Sequence, residues 1–189
     1  EGIANLHGNM DWQMSEKFKL SAGATYIGGL REFVTIVEPG ASNIAGREEK
    51  YDPVRSVITY LKFNYQGNDG SLTELQTNMT YRNANYVMYS ISSEETSEQP
   101  EKDWEYGLNL LHSRQLSPSN TLRIGGLYNH WEAPNGKRYY VGRSCNVHTW
   151  SGVIADEQRI GRFLMDGGFR LIGGHIVEWG GFGIEAVSY

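Results

Sequence analysis

The stretch Ala4-Asn5-Leu6-His7-Gly8-Asn9-Met10-Asp11-Trp12-Gln13-Met14 decides the fold. Ala4, Leu6, Gly8, Met10, Trp12 and Met14 share one face, and Asn5, His7, Asn9, Asp11 and Gln13 share the other. A period of two sustained this long is a β-strand, because successive side chains leave a pleated backbone on opposite sides. After the tight turn Ser15-Glu16-Lys17 the pattern returns, with Phe18, Leu20, Ala22, Ala24 and Tyr26 opposite Lys19, Ser21, Gly23 and Thr25. Two such runs joined by a short polar turn make a hairpin.

The rest of the chain repeats the device. Val57, Thr59, Leu61, Phe63 and Tyr65 alternate with Ile58, Tyr60, Lys62, Asn64 and Gln66. Gly67-Asn68-Asp69-Gly70-Ser71 carries hairpin turn signals. Thr73, Leu75, Thr77, Met79 and Tyr81 then return opposite Glu74, Gln76, Asn78, Thr80 and Arg82. Trp104, Tyr106, Leu108 and Leu110 lead to a turn over Arg114–Asn120, and Leu122, Ile124, Gly126 and Tyr128 lead back. Residues 138–158 are less regular. A last turn at Arg159-Ile160-Gly161-Arg162 precedes the alternation of Phe163, Met165, Gly167, Phe169 and Leu171. The expected fold class is therefore all-β, an antiparallel up-and-down meander of about eight strands, with Gly180–Tyr189 as a possible ninth.

The connections are asymmetric. Short turns fall near residues 16, 69, 117 and 160, and longer polar connections over Glu38–Arg55, Ile91–Asp103 and, more briefly, Ala133–Lys137. Alternating short and long connections on a meander are the pattern of a transmembrane β-barrel, with tight periplasmic turns and longer outer loops. A soluble β-sandwich or lipocalin-like barrel also alternates, with its apolar face turned to a core. Three features favour the membrane. The polar face carries Lys62, Glu74, Arg82, Arg123, Asp166 and Arg170, which suit a wet lumen. Aromatics stand near strand ends on the apolar face, namely Trp12, Phe18, Tyr65, Tyr81, Trp104, Tyr128 and Phe163, as an interfacial girdle requires. Several runs also reach the ~9–11 residues that a tilted strand needs to cross a bilayer.

Composition agrees once the membrane question is put correctly. The 189 residues have a net charge of −5, with 23 Gly and 12 Tyr. No apolar run approaches the ~20 residues of a membrane helix, which excludes helical spans but not strands. An acidic pI near 5.6 argues against a nucleic-acid partner. The single cysteine, Cys145, excludes an internal disulfide framework and a cysteine-based zinc cluster.

Two stretches resemble barrel hairpins of TonB-dependent outer-membrane receptors. One is Asn9-Met10-Asp11-Trp12-Gln13-Met14-Ser15-Glu16-Lys17-Phe18-Lys19-Leu20-Ser21-Ala22-Gly23. The other runs from Trp150-Ser151-Gly152-Val153-Ile154-Ala155-Asp156-Glu157-Gln158-Arg159 through Ile160-Gly161-Arg162-Phe163-Leu164-Met165-Asp166-Gly167-Gly168-Phe169-Arg170. The resemblance implies an outer-membrane location and a barrel of 22 strands around an N-terminal plug. It further implies uptake of a scarce nutrient (siderophore-bound iron, cobalamin or a glycan) with energy from the TonB complex acting through the plug. These residues contain neither plug nor TonB box, so no energy-coupling residue is carried over. Residues 1–189 are then expected to be one part of such a barrel, its first strand starting on the outer side and the N-terminus cutting through the wall. The expected partners are outer-membrane lipid, the TonB complex and a small-molecule or oligosaccharide ligand.

The sequence offers no catalytic, cofactor-binding or metal-ligating residues. His7, His112, His130, His148 and His175 are scattered, without the spacing of a helical zinc site. Cys145 and His148 form an isolated Cys-x-x-His. Gly142-Arg143-Ser144-Cys145-Asn146 lacks the second glycine of a nucleophile elbow. His112 and Ser113, like Asp156 and Glu157, are strand neighbours and must point apart. The candidate residues are the lumen-facing polar ones, Glu74, Arg82, Arg123, Asp166 and Arg170, expected to form ion pairs across strands or to hold a plug. Two other function classes stay open at this point: a soluble or surface-exposed β-domain binding a glycan or protein, and a small outer-membrane barrel enzyme.

Overall fold

A computed structural model describes residues 2–33, 47–90, 93–135 and 143–178. It contains eight strands and no helix among them: β1 (Gly2–Gln13), β2 (Phe18–Glu32), β3 (Arg47–Gln66), β4 (Leu72–Ser90), β5 (Glu95–Ser117), β6 (Asn120–Ala133), β7 (Cys145–Ile160) and β8 (Phe163–Glu178). Every strand pairs antiparallel with its sequence neighbour, in the order β1-β2-β3-β4-β5-β6-β7-β8. The up-and-down meander is thus as the alternation requires. The sheet is open: among the described residues β1 and β8 are edges and do not pair with each other. The possible ninth strand, Gly180–Tyr189, lies outside the described residues.

Register turns eight local alternations into two continuous faces. One hydrogen-bonded row runs Trp12, Leu20, Phe63, Leu75, Leu110, Gly126, Gly152, Leu171. The next equivalent row toward the long connections runs Met10, Ala22, Leu61, Thr77, Leu108, Tyr128, Trp150, Gly173. All seven girdle aromatics named above fall on this apolar face. Among the described residues no second layer covers it. Leu6, Met10, Trp12 and Leu108 remain 69%, 55%, 54% and 46% exposed.

The rows also slope across the sheet. Trp12 sits one residue from the end of β1, whereas Gly152 and Leu171 in the same row lie well inside β7 and β8. The stagger is roughly one residue per strand; with a ~3.3 Å rise and ~4.8 Å spacing, that tilts the strands by roughly 35°.

Turn chemistry sets the lower end. At Gly67–Ser71 the Gly67 amide donates to the Ser71 carbonyl at 2.8 Å, and the Asp69 carboxylate accepts from the Ser71 hydroxyl at 2.7 Å. Gly70, at φ 75°, occupies a left-handed conformation that costs a side-chain-bearing residue about 1 kcal/mol. Bare glycine backbone within the sheet is covered by rings from the adjacent strand: Tyr60 lies over Gly23, and Trp150 over Gly173.

Three connections differ from expectation. The acidic segment Glu94–Glu101, expected within an outer loop over Ile91–Asp103, is largely strand: β5 starts at Glu95 and pairs with β4 up to Ser90. Charge and Pro100 read as loop, but a strand beyond the apolar band can be polar on both faces. Likewise β3 starts at Arg47, inside the expected Glu38–Arg55 connection, because residues 47–51 pair with 86–90. The Arg114–Asn120 turn shrinks to Pro118-Ser119. β6 ends at Ala133, where the expected Ala133–Lys137 connection begins, and residues 136–142 lie outside the described residues.

Candidate functional site

All five candidate residues lie on the polar face. Alternation places Glu74 and Arg82 on the same side of β4, and register carries that side to Asp103 on β5, Arg123 on β6 and Arg170 on β8. They do not converge on one point. Lys62 Nζ meets Glu74 at 2.6 Å, and Arg123 Nη2 meets Glu157 at 2.9 Å, each a pair across adjacent strands. Arg170 Nη2 donates to Ser151 Oγ at 3.3 Å. Asp166 makes no ion pair with Arg170; both stand on one face of β8, four residues apart along an extended strand, too far to meet. Asp166 instead sits directly opposite Glu157.

Arg82 anchors the most elaborate group, near the end of the polar face beside the long connections. Its Nη2 meets Glu101 at 2.6 Å, and its Nε meets Asp103 at 3.0 Å. Trp131 Nε1 donates to the second Asp103 oxygen at 3.3 Å, and the Tyr51 hydroxyl donates to Glu101 at 3.4 Å. The Arg82 guanidinium also stands 6.0 Å from the centre of the Tyr51 ring. Phe33, Tyr51 and Tyr86 pack edge-on with centroids 5.5 and 5.7 Å apart. Glu101 is 1% exposed, and Arg82 and Tyr51 are among the partners that make its buried charge tolerable. Ala84, Tyr86, Ala133 and Cys145, the buried apolar residues among those described, all lie on this polar face near the same end.

Sequence reading singled out Arg82 but missed Glu101, Asp103, Tyr51 and Trp131. The usable signal was the spacing of Asp103 and Glu101, two apart and hence on one strand face. Their assignment to a loop hid it.

Four of the five histidines find hydroxyl or amide partners. His7 Nδ1 pairs with Thr25 at 2.8 Å, His112 Nδ1 with Thr73 at 2.9 Å and His148 Nδ1 with Tyr128 at 2.7 Å. His130 Nε2 lies 3.0 Å from Asn146 Oδ1, and its ring stacks on that of His148 at 4.3 Å. Among the described residues no three His, Cys, Asp or Glu side chains are grouped to hold a metal ion. Asp156 and Glu157 diverge as expected: Asp156 accepts from Asn120 and Gln158, and Glu157 pairs with Arg123.

Most of these polar-face charges are therefore satisfied locally, Asp166 excepted, and the opposite face is apolar and uncovered among the described residues. The chain matches no family model, no curated protein and no solved structure.

Proposed function

We propose that this chain is part of the wall of an outer-membrane β-barrel of the TonB-dependent receptor type. Its apolar face would lie against lipid and its polar face would line the interior. One observation carries the reading: a single apolar face runs unbroken over eight strands and is bordered by polar residues at both ends. On β3 it extends from Val57 to Tyr65, about 26 Å along the strand, or about 22 Å after tilt, close to the ~25 Å apolar band of such barrels. Above it on the same face stand Arg55, Asn83, Lys102, Glu132 and Asn146; below it stand Arg114, Asp156 and Gln158. The average stagger of roughly one residue per strand is also of the kind that closure of a sheet into a barrel needs.

Uptake of ferric siderophore, cobalamin or glycan follows from the resemblance of the hairpins around Ser15–Lys17 and Ile160–Phe163. Under this reading Glu74, Arg82, Arg123, Asp166 and Arg170 face the lumen. The paired ones stiffen the wall, and Asp166 is the one left to meet a plug or ligand. TonB would act through a plug outside these residues.

Fractionation tests the location: the protein should be recovered with outer membranes and migrate faster in gels before boiling than after. Recovery in a soluble fraction without heat-modifiable migration would support the soluble β-domain instead. Deleting the gene should abolish TonB-dependent growth on one of the three nutrient classes; unchanged growth on all three overturns the uptake assignment.

A further inference from the structure

Two cations on the apolar side of the sheet have no partner among the described residues. Arg55 on β3 and Lys102 on β5 flank Asn83 in one hydrogen-bonded row. Both are exposed, and neither forms an ion pair or hydrogen bond with a described residue. Lys19, Lys62, Arg82 and Arg123 on the polar face each hold a carboxylate, and Arg114 at the far border of the apolar side holds Asp69. Carboxylates near Arg55 and Lys102 are already engaged. Asp52 pairs with Lys50, Glu98 accepts from Asn85, and Glu132 accepts from the Trp104 indole.

Position gives these cations a purpose. The next row toward the apolar band is Val57, Tyr81, Trp104. A tyrosine and a tryptophan below unpaired cations form the sequence of groups met on passing from acyl chain to headgroup. With strands ~4.8 Å apart, Arg55 and Lys102 are separated by about 10 Å at Cα, close enough for both long arms to reach one group above Asn83. The three side chains offer a guanidinium fork, an ammonium and an amide N–H, all donors suited to phosphate oxygens.

We infer that Arg55, Asn83 and Lys102 form a docking site for the phosphate headgroup of an anionic membrane lipid, with Tyr81 and Trp104 against the start of its acyl chains. The inference rests on the membrane-barrel reading above and names a lipid partner for one edge of its apolar face.

The test uses the protein as its cell makes it, reconstituted into phosphatidylcholine vesicles with and without phosphatidylglycerol. Native mass spectrometry then counts the lipid retained after mild delipidation. The unaltered protein should retain phosphatidylglycerol, and Arg55→Gln with Lys102→Gln should lower that retention roughly tenfold. Lys17→Gln, in the β1–β2 turn at the opposite border, should leave it unchanged. Inorganic phosphate should not displace the lipid. Equal retention by the double variant overturns the site, and displacement by inorganic phosphate reassigns it to a free anion. Entry into both vesicle types without preference for the anionic lipid overturns this inference alone. Failure to enter either overturns the membrane-barrel reading and this inference with it.

Discussion

At Arg82, one side chain binds two carboxylates on the neighbouring strand. Glu101 is 1% exposed and Arg82 about one-third exposed, so the acid depends on the base more than the reverse. Arg82→Ala should cost about 3 kcal/mol, because it leaves a buried carboxylate short of its cation. Adding Glu101→Ala should recover part of that loss, since the uncompensated charge is gone. Urea unfolding of the two variants checks this; a double variant no more stable than the single one refutes the explanation. Arg82 itself was legible in the sequence as a polar-face cation. Glu101 and Asp103 were not, because acidity in Ser92–Asp103 reads locally as solvated loop, and only pairing with β4 makes it strand.

At the scale of elements, the β3–β4 hairpin has a titrating turn. The Asp69 carboxyl is held below the usual carboxylate range, first by the Ser71 hydroxyl and then by the Ser71 amide, with Arg114 of β5 adding its charge at 3.3 Å. A carboxyl depressed on folding stabilises the hairpin above its unfolded value, near 3.9, and loses that effect as pH falls through the lower folded value. The unaltered protein should therefore melt higher than Asp69→Ala at pH 6, and the gap should narrow below about pH 4. A gap independent of pH would show that the charge is not what holds the turn. Alternation and the Asn-Asp-Gly signal made this hairpin, like β1–β2 and β7–β8, legible in advance. Strand ends were less so. Beyond the apolar band the pattern that marks a strand fades, and pairing partners alone extend β3, β4 and β5.

For the whole molecule, the membrane-barrel reading implies a depth profile on the apolar face. Leu108 lies mid-band and Asn83 at its border. Leu108→Arg should cost about 2–4 kcal/mol in a bilayer and Asn83→Arg about 0–1. Folding equilibria in lipid vesicles measure both, and equal costs would contradict a hydrocarbon layer against this face. The candidate site is partly legible at this scale too. The shared face of Glu74, Arg82, Arg123, Asp166 and Arg170 follows from local alternation plus register. Their separation into local pairs follows from distances between strands that no local pattern contains.

The amino-acid sequence by itself determined which side chains of each strand stand together and where most of the short turns fall. Both are local: a pleated backbone alternates with period two, and turns depend on residues such as Asp69, Gly70 and Gly161. Only the tertiary structure decided that eight apolar stripes join into one face, that the acidic run from Glu95 is strand, and that Arg82 meets Glu101 rather than a residue of its own strand. Those outcomes depend on register between strands distant in sequence, which hydrogen bonding and packing select together.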